Sequence, residues 1–380
     1  MLTEKQINEI REHLENAKNP LFYYDNDADG LCSYILLRKF IDRGKGVSVR
    51  SFPDLNGSYA RKAQELNADC AFVLDKPVLS KEFAEEIDKL GLPLIWIDHH
   101  DVKREEYEKD MKNLFIYNPA RNKGKDKSGP ENRKFSGHET SKKQEEVSCE
   151  PVTYLSYKIA NRKEDIWLAV VGCIFDHYLP DFIDEFKERY PEFWTKKKVN
   201  DPFIAYYETE IGKIAMALNF GLKDSTTNIV KLQNFLLQAK EPSEIFSETG
   251  ANHAFRKRFE FIKKKYDYLI DKAKENVQDN FIFFEYGGEL SMSSDIANGL
   301  FYRFPGRYVA VAYRKDAMSN LSLRGKNVKK ILEEILKEIN GSGGGHEDAV
   351  GARIKTEDLG RFKDLFIKSL SHSTLEKLKI

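Results

Sequence analysis

Through the first hundred residues, short apolar runs alternate with segments of helical period, and the runs stop abruptly on charged side chains. Residues 22–24, 47–52, 71–74 and 94–97 read as strands, and residues 31–41, 58–66 and 81–90 between them as helices of period near 3.6. That alternation predicts βαβ units and a parallel sheet. Gly30 fits a tight strand-to-helix turn. After Asn118-Pro119, residues 121–146 are polar and almost free of aliphatic side chains, so a mobile surface loop is expected there. Helical patterns resume at 152–160 and 165–175. A mixed helical region follows to about Lys240, in which Phe182, Phe186, Tyr190, Phe193 and Trp194 recur at roughly helical spacing and read as core.

Residues 253–277 form a long amphipathic pattern, apolar at Phe255, Phe259, Ile262, Tyr266, Leu269, Ile270 and Ala273. Its polar side carries Arg256, Lys257, Arg258, Lys263, Lys264 and Lys265. A solvated helix face is the simpler reading of that side, and a phosphate-following face the alternative. The last hundred residues predict strands at 281–285, 308–313 and 320–324, helices at 294–302, 328–339 and 358–369, and a glycine-rich loop at 341–346. No internal repeat is evident. The expected fold class is therefore α/β: a parallel-sheet amino-terminal domain (1–200), a helical region with a connector helix (201–277), and a smaller carboxyl-terminal α/β domain (278–380).

A chain of 380 residues is long enough for two domains. Its 61 basic and 61 acidic residues cancel, so attraction to nucleic acid must come from local patches. Cys32, Cys70, Cys149 and Cys173 contain no C-x-x-C pair, which argues against a zinc ribbon or a disulfide framework and for a reducing cytoplasm. Residues 1–19 lack the apolar core of a secretory signal, and the apolar run at 166–175 is too short to cross a bilayer. No membrane association is expected.

The chemistry lies where the apolar runs stop. The first leads into Asp25-Asn26-Asp27-Ala28-Asp29-Gly30, the third ends at Asp75, the fourth at Asp98-His99-His100, and the run at 166–175 at Asp176-His177. In an open α/β sheet the carboxyl ends of the strands share one edge, so these groups can converge on a single crevice. Clustered carboxylates repel one another and lose hydration, which a bound cation relieves. Alone, a D-x-D pair is weak evidence, because calcium loops and helix N-caps share it; the EF-hand reading fails for want of later ligands. Asp75 alone would be an ordinary turn aspartate. Imidazole combined with oxygen ligands suits manganese, zinc or iron better than calcium. Two adjacent histidines on an extended backbone point apart, so one is expected to bind metal and the other to face substrate. The run from Gly341 to His346 lacks a Walker ending, and its glycines would expose N–H groups to an anion.

In combination, D-x-D-x-D-G, an isolated strand-end Asp, Asp-His-His, a later Asp and a carboxyl-terminal Gly-Gly-Gly-His resemble the DHH phosphoesterases. More narrowly, they resemble the RecJ-like and oligoribonuclease-like branch with a glycine-rich DHH-associated domain. The resemblance implies a two-manganese centre, with magnesium as a substitute. Asp27 would bind one metal, Asp29 the other, and Asp75 would bridge them. His99 and Asp176 would complete the second site, Asp98 would position the histidines, and His100 would approach the scissile phosphate. Arg324, Gly343, Gly344, Gly345 and His346 would hold the nucleotide. One departure is Tyr23, which stands where many relatives carry a histidine; Asp25 is either its replacement or a supporting strand-end carboxylate. The implied activity is hydrolysis of single-stranded DNA or RNA, or short oligonucleotides, from an end. The alternatives are a small-nucleotide phosphatase or dinucleotide phosphodiesterase, and a non-catalytic replication or repair scaffold. No signature of a protein partner stands out.

Overall fold

A computed structural model describes residues 1–50, 55–102, 105–122 and 150–377. It divides into two units, 1–259 and 260–380. The expected loop at 121–146 lies outside the described residues from 123 onward, as do the last two residues of the strand expected at 47–52.

The first unit opens with α1 (Glu4–Asn16), then β1 (Pro20–Asp25), α2 (Ala28–Ile41), β2 (Lys45–Val49), α3 (Gly57–Glu65), β3 (Cys70–Leu74), α4 (Lys81–Lys89), β4 (Leu94–Ile97) and β5 (Leu114–Tyr117). These strands form one parallel sheet in the order β2-β1-β3-β4-β5. The order reverses between β1 and β3, and at such a switch point the loops leaving neighbouring strands part and open a crevice at their carboxyl ends. β3 and β4 are buried along their whole length, as expected of parallel strands covered on both faces. One face packs Leu21, Tyr23, Val73 and Trp96 against Ala60, Ala63, Phe83 and Ile87 of α3 and α4.

The helices α5 (Val152–Ala160), α6 (Ile166–Phe175), α7 (Ile183–Arg189), α8 (Pro202–Glu208), α9 (Glu210–Gly221) and α10 (Thr226–Gln238) follow. α6 is apolar all round and buried from Ile166 to Ile174. It packs against α2, α5 and α9, which is the setting a helix without a polar face requires. Burying each of its large side chains contributes about 1.5–3 kcal/mol. Of the five aromatic residues read as core from their spacing, Phe182, Phe186 and Tyr190 are buried, whereas Phe193 and Trp194 are only half-buried.

The boundary between the units falls within α11 (His253–Lys274), so α8 to α10 and the first turns of α11 group with the parallel sheet. All seven apolar positions read on α11 are buried. The second unit continues through β6 (Phe281–Gly287), α12 (Ser293–Arg303), β7 (Tyr308–Lys315), β8 (Met318–Arg324), α13 (Val328–Glu338), β9 (Gly341–His346), β10 (Ala349–Lys355) and α14 (Leu359–Lys377). Its sheet has the order β6-β7-β8-β10-β9; β6 and β7 are parallel and the other pairs antiparallel. Phe362 and Phe366 of α14 and Leu332 of α13 close its core.

The glycine run corrects an expectation. Residues 341–346 are an edge strand paired with Ala349–Lys355, a strand the sequence reading did not anticipate. Glycine is a poor strand former, but close approach demands it here. A Cβ at Gly343 would lie 2.6 Å from the Gly351 carbonyl oxygen, and one at Gly345, where φ is +140°, would lie 2.5 Å from that of Ala349.

Candidate metal centre

β1 and β3 are neighbours, paired from Pro20–Cys70 to Tyr24–Leu74, so their ends arrive side by side. Asp27 leaves β1 as the N-cap of α2, where its Oδ1 accepts the Gly30 amide at 2.9 Å. Gly30 is required: a Cβ there would lie 2.5 Å from the Asp25 carbonyl oxygen. Asp29, in the first turn of α2, is buried, and both of its carboxylate oxygens accept backbone amides from the start of α5, Val152 at 3.0 Å and Thr153 at 2.7 Å. A carboxylate at a helix N-terminus is favoured by the helix dipole. It also keeps lone pairs for a further partner.

Asp75 follows β3 directly in a left-handed conformation, φ +60°, with its amide donating to the Ile97 carbonyl at 3.0 Å. A non-glycine residue there carries about 1–3 kcal/mol of strain, a cost typical of functional positions. β4 delivers Asp98-His99-His100. His99 Nε2 lies 3.5 Å from Asp75 Oδ1 and 3.7 Å from Asp176 Oδ2. Asp176 itself arrives as the C-cap of α6, a helix and not a strand.

Donor atoms therefore gather in overlapping groups, each with its atoms within 4.8 Å of one another: Asp25, Asp27 and Asp75; Asp29, His99 and Asp176; Asp75, His99 and His100. The first two groups share no residue, and Asp75 and His99 link them. Two adjacent positions with this donor set suit two divalent ions of borderline character.

The electrostatics point the same way. Burial, reinforced by Asp75, Asp25 and Asp29, pushes the Asp27 carboxyl well above the usual carboxylate range. Burial and Asp29 do the same to Asp75, with His99 opposing them. Although 38 % of the Asp176 side chain is exposed, burial of the rest moves its carboxyl up to about 6, with His99 pulling down and Asp29 pushing up. Burial alone would lower His99, but the hydrogen bond to Asp75 and the charge of Asp176 hold it well above the ordinary imidazole value. Without a cation the cluster retains protons; a cation would take their place.

Asp98 is fully buried and fixes His100 twice, its Oδ2 accepting the His100 amide at 3.0 Å and its Oδ1 lying 2.8 Å from Nδ1. His100 is consequently raised despite burial, chiefly by Asp98. The expectation that the two histidines point apart is overturned. Their ring centroids are 4.3 Å apart, because β4 ends at Ile97 and the Asp98 clamp turns the chain out of the extended conformation.

Tyr23 plays no part in the cluster. It is fully buried under α3 and α4, and its hydroxyl donates to the Tyr59 carbonyl at 2.9 Å. Asp25 belongs to the donor groups, and it also accepts from Lys76 Nζ at 2.9 Å.

Residues beyond the expected set support the site. Lys76 is buried, its ammonium held charged against burial by Asp25, and its carbonyl accepts the Trp96 indole N–H at 2.8 Å. Asn118 donates to Asp98 Oδ2 and to the His100 carbonyl, both at 3.0 Å, and accepts the Ala120 amide. Its adjacency to Pro119 marked it as a boundary, and only its position after β5 marks it as a neighbour of Asp98.

In the second unit, Arg324 ends β8 with its guanidinium held by Asn298 (2.6 Å), the Leu323 carbonyl (2.8 Å) and Ser294 (3.0 Å). Gly343, Gly344, Gly345 and His346 lie exposed on β9. A Cβ at Gly344 would meet nothing within 4 Å, so one side of the strand is open there. β8 and β9 each pair with β10, with Arg324 opposite Ala349 and Ala349 opposite His346, which sets Arg324 and His346 two strands apart in one register.

Residues 286–372 match the DHHA1 domain family. Among curated proteins, none matches the chain in sequence. Among solved structures, the chain is similar to RecJ from Thermus thermophilus in complex with Mn2+, at 13% identity and a TM-score of 0.66, over 98% of this chain and 56% of that one. It thus spans little more than half the length of that RecJ. It is also similar to an exonuclease RecJ bound to manganese (16% identity, TM-score 0.60, 96% and 94% covered) and to Cdc45 from Entamoeba histolytica (10% identity, TM-score 0.51, 96% and 98% covered).

Proposed function

We propose that this chain, which has the RecJ-like DHH fold and carries a DHHA1 domain, is a manganese-dependent phosphodiesterase that hydrolyses single-stranded nucleic acid or short oligonucleotides from an end. The observation that carries the reading is the pair of separate donor groups, Asp25, Asp27 and Asp75 beside Asp29, His99 and Asp176, joined through the 3.5 Å approach of Asp75 to His99. The RecJ structures similar to this chain hold Mn2+ or Mg2+.

In this reading Asp27 would hold one ion and Asp29, His99 and Asp176 the other, with Asp75 available to both. Two bound divalent ions lower the pKa of water and offset charge on the phosphoryl oxygens. Asp98, fastened by Asn118, holds the His100 ring by its Nδ1 and its amide, so that His100 is positioned to approach a phosphate oxygen. Asp25 supports the site through Lys76, whose ammonium balances part of the carboxylate charge. On the second unit Arg324 grips a phosphate with a guanidinium already oriented by Asn298 and Ser294, and the open side of β9 admits a nucleotide close to the backbone.

The test is incubation with manganese and labelled DNA and RNA strands blocked at one end or the other, alongside Asp75→Asn. Stepwise shortening from one end, lost in the variant, is expected. Cleavage confined to dinucleotides would replace the polymer reading with the small-substrate one. Binding without hydrolysis under any divalent ion would leave the scaffold reading.

A further inference from the structure

The two aromatic side chains among the exposed large hydrophobic residues both lie on α11: Phe261 is 56% and Tyr268 60% exposed. They are seven residues apart, which places them within about 20° of each other around the helix and about 10 Å apart along it. Lys264 and Lys265 fall between them, one on either side of the line that joins the rings. Neighbouring lysines are neutralised: Lys263 pairs with Asp267 at 2.6 Å, Lys272 with Glu275 at 3.4 Å and Lys274 with Asp271 at 2.8 Å. Lys264 and Lys265 have no ion-pair partner among the described residues. The buried face of α11, at Ile262, Tyr266, Leu269, Ile270 and Ala273, lies on the other side of the helix.

We infer that this outer face of α11 is a track for single-stranded nucleic acid, with bases stacking on Phe261 and Tyr268 and phosphates meeting Lys264 and Lys265. Exposed rings offer flat π faces that accept any base, and a duplex, its bases already stacked, has none to offer. Unpaired lysines between the rings supply the charge that a polyphosphate backbone requires and an apolar protein surface does not. The inference rests on the proposed function only for the choice of ligand. It adds a binding surface distinct from the donor groups and from β9.

The experiment is fluorescence anisotropy of the full chain with a labelled 20-nucleotide strand in EDTA, so that no hydrolysis intervenes. Phe261→Ala and Tyr268→Ala should each weaken binding by about tenfold. The double variant Lys264→Glu with Lys265→Glu should weaken it further and flatten the salt dependence by about 1.4 in log-log slope, the share of two phosphates on a single strand. Both aromatic variants should keep the wild-type melting temperature, since the rings contribute little to the core. Affinity within twofold of wild type in all three variants would overturn the track, as would loss of self-association in the aromatic variants with nucleic-acid affinity intact. Because binding is read without metal and hydrolysis through Asp75→Asn, either result can fail without the other.

Discussion

At the carboxyl edge of the first sheet the polar groups are side chains, buried and tied into place; at the free edge of the second sheet they are backbone groups, open to solvent. Asp29, Asp75, Asp98 and His99 are all buried, and each is held by at least one amide, carboxylate or imidazole of a neighbouring segment. β9 is exposed along its whole length and defined by the side chains it lacks. The first edge suits small divalent ions, which need several fixed donors. The second suits a larger, variable ligand, which needs room for its approach. Rigid donors and an open backbone are two ways of making a site, and each is damaged by a different substitution.

Asp75→Asn should separate the two edges most sharply. Hydrolysis should fall by on the order of 10³-fold or more, while the metal-free protein should melt at a higher temperature, because a carboxyl whose ionisation burial and Asp29 oppose has gone. A lower melting temperature in EDTA would mean that Asp75 is a structural residue.

Metal removal should act through pH. Asp27, Asp75 and Asp176 (about 6) hold protons in the folded metal-free chain that the unfolded chain releases near pH 4. Their contribution to folding therefore declines as pH rises from about 4. His99, also raised, stabilises below about 6.5 and loses its contribution as pH passes its folded value. Both shifts have the same sign. Manganese, taking the place of those protons, should widen the gap in melting temperature over EDTA between pH 5 and 8; each site with free ion at a hundredfold excess over its Kd adds about 2.7 kcal/mol to stability. A gap that narrows over that range would contradict the linkage.

A smaller effect is expected one layer out. Asn118→Ala frees Asp98 and the His100 carbonyl and should lower activity or metal affinity by about 10- to 100-fold. Unchanged kinetics would show that Asp98 orients His100 unaided.

The smallest effects test the second edge. Gly345→Ala should destabilise the second unit by about 1–3 kcal/mol through its positive φ and the Ala349 carbonyl. Gly344→Ala, facing open space, should change stability by less than about 1 kcal/mol. Equal tolerance at both positions in thermal melts would return residues 341–346 to a loop.

The same contrast explains what sequence reading could reach. A buried parallel strand is an uninterrupted apolar run, so the residue that ends it is conspicuous; β4 was expected at 94–97 and found there, and Asp75 and Asp98 followed from their strands. α6 likewise announced Asp176 by its length and its lack of a polar face. Tertiary partners left no such mark. Lys76 carried no signal of its own and Asn118 read as a boundary, because only the sheet brings them beside Asp25 and Asp98. The pairing of β9 with β10 was hidden, since glycine carries no alternation and strand pairing is decided by the partner. The family resemblance read from the motifs agrees with the DHHA1 match and with the fold.

Manganese titration of the metal-free protein by calorimetry near pH 7.5, wild type against Asp75→Asn, addresses the central claim most directly. Two ions per wild-type chain, with proton release and with at least one site lost in the variant, is the predicted result. Absence of binding in the wild type, or identical stoichiometry and affinity in both proteins, would contradict it.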